Sequence, residues 1–339
     1  MKRIAWVDVL KFLGIVAIYF WHLGEGMGKS YQFILLYHVP LFFFVSGCTE
    51  SLQKPKEFVD YAKKKGKTIL LPFFFFALIS MLLVVIYERC DMTLIKLMLR
   101  QIALGGIRNQ IFAYSLWFLT CLFVMSLLFQ LIKKLEKRSL IFGIGVLLYI
   151  FTSRIMPYKP NMVPLLPYNV DCALYYTIYY CTGYCVFPKL QEFLEKEGKE
   201  RNIVLAVSGA VCAMYGVLLY FGFDLLGILG KIPVVRIFQP YITALLLIWV
   251  NLVVAFLLQK CSFLQKLGTE TLYLCGSEFF VKTLGAAVLS FGGISAVFTN
   301  PVVGFMYVLV LILVVHFLFV PIEKKILRPG KQVKRKFKF

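Results

Sequence analysis

Apolar residues fall into ten long blocks along this chain, separated by short polar or charged stretches. The blocks cover roughly 6–23, 32–52, 68–87, 114–132, 139–156, 172–188, 203–222, 238–258, 271–292 and 301–322. Each lies near the ~20 residues a helix needs to cross a bilayer. The sixth and ninth are the weakest, because they carry polar residues. Segment 91–107 is apolar but short, and Lys96 and Arg100 interrupt it. That predicts an interfacial or re-entrant piece. The pattern as a whole predicts an all-α polytopic transmembrane helical bundle of about ten spans. One membrane domain should cover 1–323, followed by a basic tail over 324–339. No loop exceeds about 27 residues, so no soluble domain is expected.

The loop charges orient this bundle. With the N-terminus inside, the inner Lys and Arg are two at the N-terminus, six in 53–67, four in 133–138, four in 189–202, two in 259–270 and eight after 323. That is 26 inside against nine outside, with Lys11 and Lys282 left within the spans. The asymmetry places both termini in the cytoplasm and requires an even number of spans. The tail "KKILRPGKQVKRKFKF" fits topology and attraction to anionic lipid heads.

Composition changes little in this picture. The 339 residues are 60% hydrophobic, with a mean hydropathy of +0.81. The net charge of +20 would suggest nucleic acid on a soluble chain, but here the loops account for it. The nine cysteines are odd in number, form no CxxC and fall mostly inside apolar blocks. They read as small hydrophobes in spans, not as disulfides or a zinc site. Gly24 and Glu25 follow the first block where a cleavage site would need small residues, so that block is expected to stay as the first span.

The first block holds "KFLGIVAIYFWH", Lys11 to His22. Eleven helical positions advance about 16 Å and return to within about 20° of the starting direction. Lys11 and His22 therefore share one face, half a bilayer apart, with Gly14 and Ile18 between them. Each has an ordinary reading: a snorkelling lysine, close helix packing at Gly14, a histidine bonded at the interface. Together they suggest a track for a long, thin molecule with a polar head. Asp8 is placed to orient Lys11 through an i,i+3 pair. The second block opens "YHVPLFFFVSG", residues 37–47, so antiparallel pairing brings His38 near His22. No third ligand stands at metal spacing, and no G-x-S-x-G elbow exists. A neutral histidine suits general base work.

These two segments resemble the opening of the acyltransferase family 3 membrane proteins. The shared pattern is a cation, ten residues and a histidine, then His-x-Pro-Leu-Phe-Phe-x-x-Ser-Gly. "KKKGKTILLPFFFF" (63–76), "SLWFL" (115–119) and "LGTETLYL" (267–274) resemble later elements. "LYLCGSEFF" departs from it: Cys275, Gly276, Ser277 and Glu278 stand where many relatives place a histidine.

The resemblance implies transfer of an acyl group, usually acetyl, from cytoplasmic acyl-CoA to a hydroxyl of an extracytoplasmic or lipid-linked glycan. It implies an O-acetyltransferase, multi-pass in the cell membrane, with acetyl-CoA as donor substrate and no metal. On this reading the CoA phosphates lie near Lys11, Lys64, Lys65 and Lys67, although the positive-inside rule also explains those lysines. His22 is the expected catalytic base or acyl carrier. His38 is expected to orient it or stabilise the oxyanion, the ordinary alternative being a helix-start histidine bonded to a carbonyl. Tyr114, Trp117, Tyr168, Tyr175 and Tyr176 read first as an interfacial aromatic belt and second as sugar-stacking groups. Arg154 and Arg236 sit at outer span ends, where an anionic acceptor would meet them. Glu278 and Lys282 read as a buried ion pair, and His316 as a core hydrogen bond.

The chief alternative is a polytopic transporter or flippase of a small polar solute or lipid-linked sugar. Transporters often carry inverted repeats and matched broken helices, and neither is evident here. A sensor or scaffold without chemistry would be indifferent to substitution of His22.

Overall fold

In lipid a backbone must close its own hydrogen bonds, and these apolar runs do so as helices. The computed structural model describes residues 3–54, 57–113 and 115–327. Tyr114 and the tail from 328 onward lie outside the described residues. The first half of the chain forms α1 (Ala5–Trp21), α2 (Lys29–Leu35), α3 (His38–Glu50), α4 (Phe58–Lys65), α5 (Leu71–Glu88), α6 (Met92–Ala103), α7 (Trp117–Ile132) and α8 (Arg138–Ile150). The second half forms α9 (Val170–Glu195), α10 (Lys199–Tyr220), α11 (Leu225–Ile228), α12 (Pro233–Leu257), α13 (Ser262–Thr269), α14 (Thr271–Phe291), α15 (Pro301–Val314) and α16 (Val320–Leu327). No strand occurs among the described residues. Three π-helical turns, at Gly66–Leu70, Phe151–Ile155 and Val315–Phe319, join or extend these helices without breaking them.

Eight helical stretches are long and apolar enough to cross a membrane. Two of the ten expected spans are not among them, although both are helical. Helix α1 has only 17 residues, and α9 carries Asp171, Pro188 and five tyrosines. Both are central. Helix α1 packs against α3, α12, α13, α14 and α15, and α9 against α3, α7 and α8. A helix shielded from lipid by its neighbours can be polar or short, provided its side chains find partners inside the bundle. The outer helices show the reverse. Leu78, Leu82 and Ile86 of α5, and Val207, Val211 and Met214 of α10, present exposed apolar stripes at four-residue or similar spacing.

The amphipathic segment near 91–107 is the 12-residue helix α6, too short to cross. The Asp91 carboxylate caps it by accepting the Leu94 N–H at 2.8 Å.

Side-chain pairs give the relative directions. Tyr19 meets Leu274 and His22 meets Glu278, so α1 and α14 run parallel. Trp21 stacks on His38 while Gly14 meets Phe42, so α1 and α3 are antiparallel. Arg138 meets Cys185 and Tyr149 meets Tyr175, so α8 and α9 are antiparallel. His22, His38, the end of α8 and the start of α9 therefore share one end of the bundle. Lys11 and Lys64 lie toward the other.

Helices α3 and α9 approach each other closely through glycines on both sides. A Cβ on Gly47 would meet the Tyr180 carbonyl, and one on Gly183 would meet the Phe44 carbonyl. Two glycines facing each other let the backbones touch.

Candidate functional site

His22 caps the C-terminus of α1, the last position before the chain turns away. Its Nδ1 lies 2.7 Å from Glu278 Oε1. The same carboxylate oxygen accepts from Lys282 Nζ at 2.8 Å, one helical turn further along α14. Lys282 Nζ also donates to the Tyr19 carbonyl at 2.8 Å, and the Tyr19 hydroxyl donates to the Leu274 carbonyl at 2.6 Å. Three polar contacts thus join α1 to α14, and together with the Lys282–Glu278 pair inside α14 they hold the imidazole in one orientation. Glu278 is only 2% exposed, and its Oε2 meets no hydrogen-bond partner among the described residues. A carboxylate facing Nδ1 favours the tautomer with the proton on Nδ1, which leaves Nε2 as the acceptor nitrogen. This is the base–orienter geometry of acyl-transfer sites.

His22, Glu278 and Lys282 line a cavity of about 350 Å³, together with Ser115, Tyr87 and Glu88. A second cavity, about 260 Å³, ends at Lys11 and is lined by Ile15, Ile18, Ser46, Thr68 and Cys275. The two abut. Ser115 lines one and Cys275 the other, and the Ser115 hydroxyl donates to the Cys275 carbonyl at 2.9 Å. A cation and an imidazole are thus the polar groups of α1 in two neighbouring chambers.

Gly14 lies outside both chambers. The ring of Phe42 fills its recess, 2.7 Å from where a Cβ would sit, so its role is helix packing. Ile15 takes its place in the wall. Lys11 Nζ lies 3.3 Å from Asp8 Oδ1, as the i,i+3 spacing requires.

Lys64 and Lys67 are exposed beside Thr68, whose hydroxyl donates to the Lys64 carbonyl at 2.9 Å. Lys65 turns inward, 3.8 Å from Glu50 and over the ring of Tyr61. Glu50 is a buried hub that also accepts from Tyr61, Gln53 and Gln130 at 2.7–2.8 Å. Lys65 therefore has a structural partner that its two neighbours lack among the described residues.

His38 is buried at the start of α3, and its Nδ1 donates to the Ile34 carbonyl at 2.8 Å. It lines neither chamber. The Trp21 indole stacks on it at 5.2 Å and meets His22 edge-on at 4.9 Å. The indole, rather than a direct contact, links the two rings.

The aromatic belt expected at the outer ends is a core instead. Trp117, Tyr175 and Tyr176 are buried. Tyr176 stacks on Phe43 at 4.7 Å and meets Tyr175 edge-on at 5.0 Å, and Trp117 lies under the Arg108 guanidinium at 4.6 Å. Tyr168 is half-buried against Gly105. Arg108 donates to the Asn161 carbonyl and, at 3.4 Å, to the Tyr176 hydroxyl. Outside the spans, burial first and the Asp171 carboxylate second push Tyr158 up to about 12, so its hydroxyl stays a donor to Asp171. At the opposite end of the bundle, His316 Nδ1 lies 2.5 Å from Glu270, which Lys324 also holds at 2.6 Å. No group of three His, Cys, Asp or Glu suits a metal ion among the described residues.

The site missed from sequence is Glu278 as the partner of His22. The carboxylate was legible as half of an intramembrane ion pair with Lys282. Its proximity to α1, 256 residues away, was not.

The fold and this site define a polytopic helical membrane protein with a histidine–carboxylate pair inside the bundle. The family model described as "Acyltransferase domain" matches residues 4–320, and the chain belongs to this acyltransferase family 3. No curated protein and no solved structure matches it.

Proposed function

We propose that this membrane acyltransferase moves an acyl group, acetyl in the simplest case, from cytoplasmic acyl-CoA to a hydroxyl of an extracytoplasmic or lipid-linked glycan. The observation that carries the reading is the pair of abutting chambers, one ending at Lys11 and the other at His22 and Glu278. The donor's phosphates lie at the cytoplasmic mouth near Lys11, Lys64 and Lys67, with Lys65 supporting them from its place on Glu50. Phosphates call for several cations, and this mouth supplies them. The thin arm of the donor occupies the narrow chamber, and the thioester reaches the Ser115–Cys275 junction.

His22 Nε2 then accepts the proton of the acceptor hydroxyl as its oxygen attacks the thioester carbonyl. Glu278 holds the ring and stabilises the imidazolium. The C–S bond breaks, and the CoA thiolate takes the proton back from His22. His38 orients this end through Trp21, beside which both rings pack. The products are an acyl ester and free CoA.

The test is transfer of radiolabelled acetyl from acetyl-CoA in membranes carrying matched amounts of wild type or His22→Ala. Label reaching glycan or lipid only with wild type supports the reading. Equal labelling removes His22 from its centre. Absence of label with both, in membranes that supply glycan acceptors, counts against acetyl-CoA as donor.

A further inference from the structure

A third cavity, about 540 Å³, opens at the same end of the bundle as His22, between α8, α9 and α12. Three cations reach its walls. Arg154 comes from the π-turn after α8, Lys159 from the connection that follows, and Arg236 from the first turn of α12. No Asp or Glu lines it. The three cations are exposed, and none makes an ion pair among the described residues.

The neighbouring acids are engaged elsewhere. Asp171 accepts the Leu165 N–H at 2.7 Å and the Tyr158 hydroxyl at 3.1 Å. Asp224 holds Gln239 at 2.5 Å and the Gly227 N–H at 2.9 Å. Positive charge in this cavity is therefore not neutralised by the protein.

The walls are built for more than charge. Tyr149 and Tyr175 lie 5.1 Å apart behind the cations. The Ser153 hydroxyl is buried in the wall beside the Tyr149 hydroxyl. Pro240 lacks the N–H that would otherwise bond the Arg236 carbonyl, which frees an acceptor beside the arginine. Two helix irregularities, the π-turn and the proline, thus face one cavity. Such distortions recur at binding sites. The volume falls within the usual range for small-ligand pockets.

We infer that this cavity binds an anionic saccharide, with the cations on its carboxylate or phosphate and the tyrosines and polar groups on its ring. Calling that saccharide the acceptor rests on the acyltransferase reading; its binding does not. The wall continues inward from Tyr175 to Tyr176 and Arg108, so the subsite grips a part of the glycan remote from the reacting hydroxyl. Remote binding of this kind positions the reacting group.

The experiment uses the purified full chain in zwitterionic nanodiscs, so that lipid heads supply no competing net charge. Calorimetry follows trigalacturonate, glucose 1-phosphate and neutral maltotriose. One anionic probe is expected to bind at least about tenfold tighter than maltotriose, and Arg154→Gln and Arg236→Gln each to weaken it about tenfold. Arg236→Lys should recover part of the loss, and Lys196→Gln at the far end should change nothing. Which probe binds distinguishes a sugar carboxylate from a phosphate. The inference is overturned if no probe binds, if maltotriose binds as well as the anions, or if both arginine variants bind like wild type with unchanged melting. His22→Ala should bind the probe normally. Arginine-dependent binding in a protein that transfers no label would sink the reading of acetyl-CoA as donor and keep the site. Normal transfer without probe binding would do the reverse.

Discussion

At the scale of single residues, His22 and Lys11 are expected to fail in different ways. Glu278→Gln keeps the shape of the orienting group but removes its charge, so turnover should fall on the order of a hundredfold, with little change in donor KM. That variant also leaves the half-buried Lys282 without its counter-ion, a destabilising change. Glu278→Gln with Lys282→Met separates the two effects. If the double variant melts like wild type and still turns over normally, Glu278 does not orient the base. Lys11→Ala should instead raise donor KM about tenfold, the value of one lost charged contact, and leave turnover within a few-fold. Unchanged donor affinity would remove Lys11 from the donor site. The cation and the imidazole were legible in "KFLGIVAIYFWH", because helical spacing alone puts them on one face. Gly14 was legible only as a gap. What fills it, the ring of Phe42, belongs to another helix.

At the scale of elements, the α3–α9 crossing is a place where side-chain size should matter strongly. Gly183→Ala would drive a methyl group into the Phe44 carbonyl, which cannot move without shifting the helix. A loss of about 1–3 kcal/mol is expected from overpacking, read as a lower melting midpoint in detergent. Gly143→Ala on α8 meets nothing within 4 Å and should be neutral or slightly stabilising. Equal melting of the two variants would mean that the helices do not touch there. The apolar blocks announced the outer helices clearly, since those must offer lipid a continuous greasy face. Of the two blocks that polar residues made weakest, α14 is long and apolar enough to cross and α9 is not. Helix α1, which looked no weaker than the rest, is one residue shorter than the shortest of the eight membrane-length stretches, because central position lets a helix be short or polar. The aromatics near the outer ends looked like a belt for the same reason. Composition marks depth in the membrane but not which way a ring points, and Tyr175 and Tyr176 point inward.

At the scale of the whole molecule, the alternation of helix directions puts Cys261 and Ser295 at opposite ends. With both termini cytoplasmic, a membrane-impermeant maleimide on intact cells should label a lone Ser295→Cys and spare a lone Cys261. Inverted vesicles should exchange the two results. Labelling of Cys261 from outside would reverse the orientation and, with it, the side from which the donor enters. This expected orientation rests on the charge count of 26 against nine, because positive loops resist crossing whatever the helices later do.

Hydropathy, loop charge and helical spacing act locally, so the chain alone determined the helical membrane class, the family resemblance and the shared face of Lys11 and His22. Partners distant in sequence carry no such local signal. Only the packed structure decided that Glu278 reaches His22, that Cys275 and Ser115 meet between two chambers, and that Arg154, Lys159 and Arg236 converge on a third. Those contacts arise from which helices lie side by side, and adjacency in a bundle is set by complementary packing such as the facing glycines of α3 and α9, not by the periodicity of either helix.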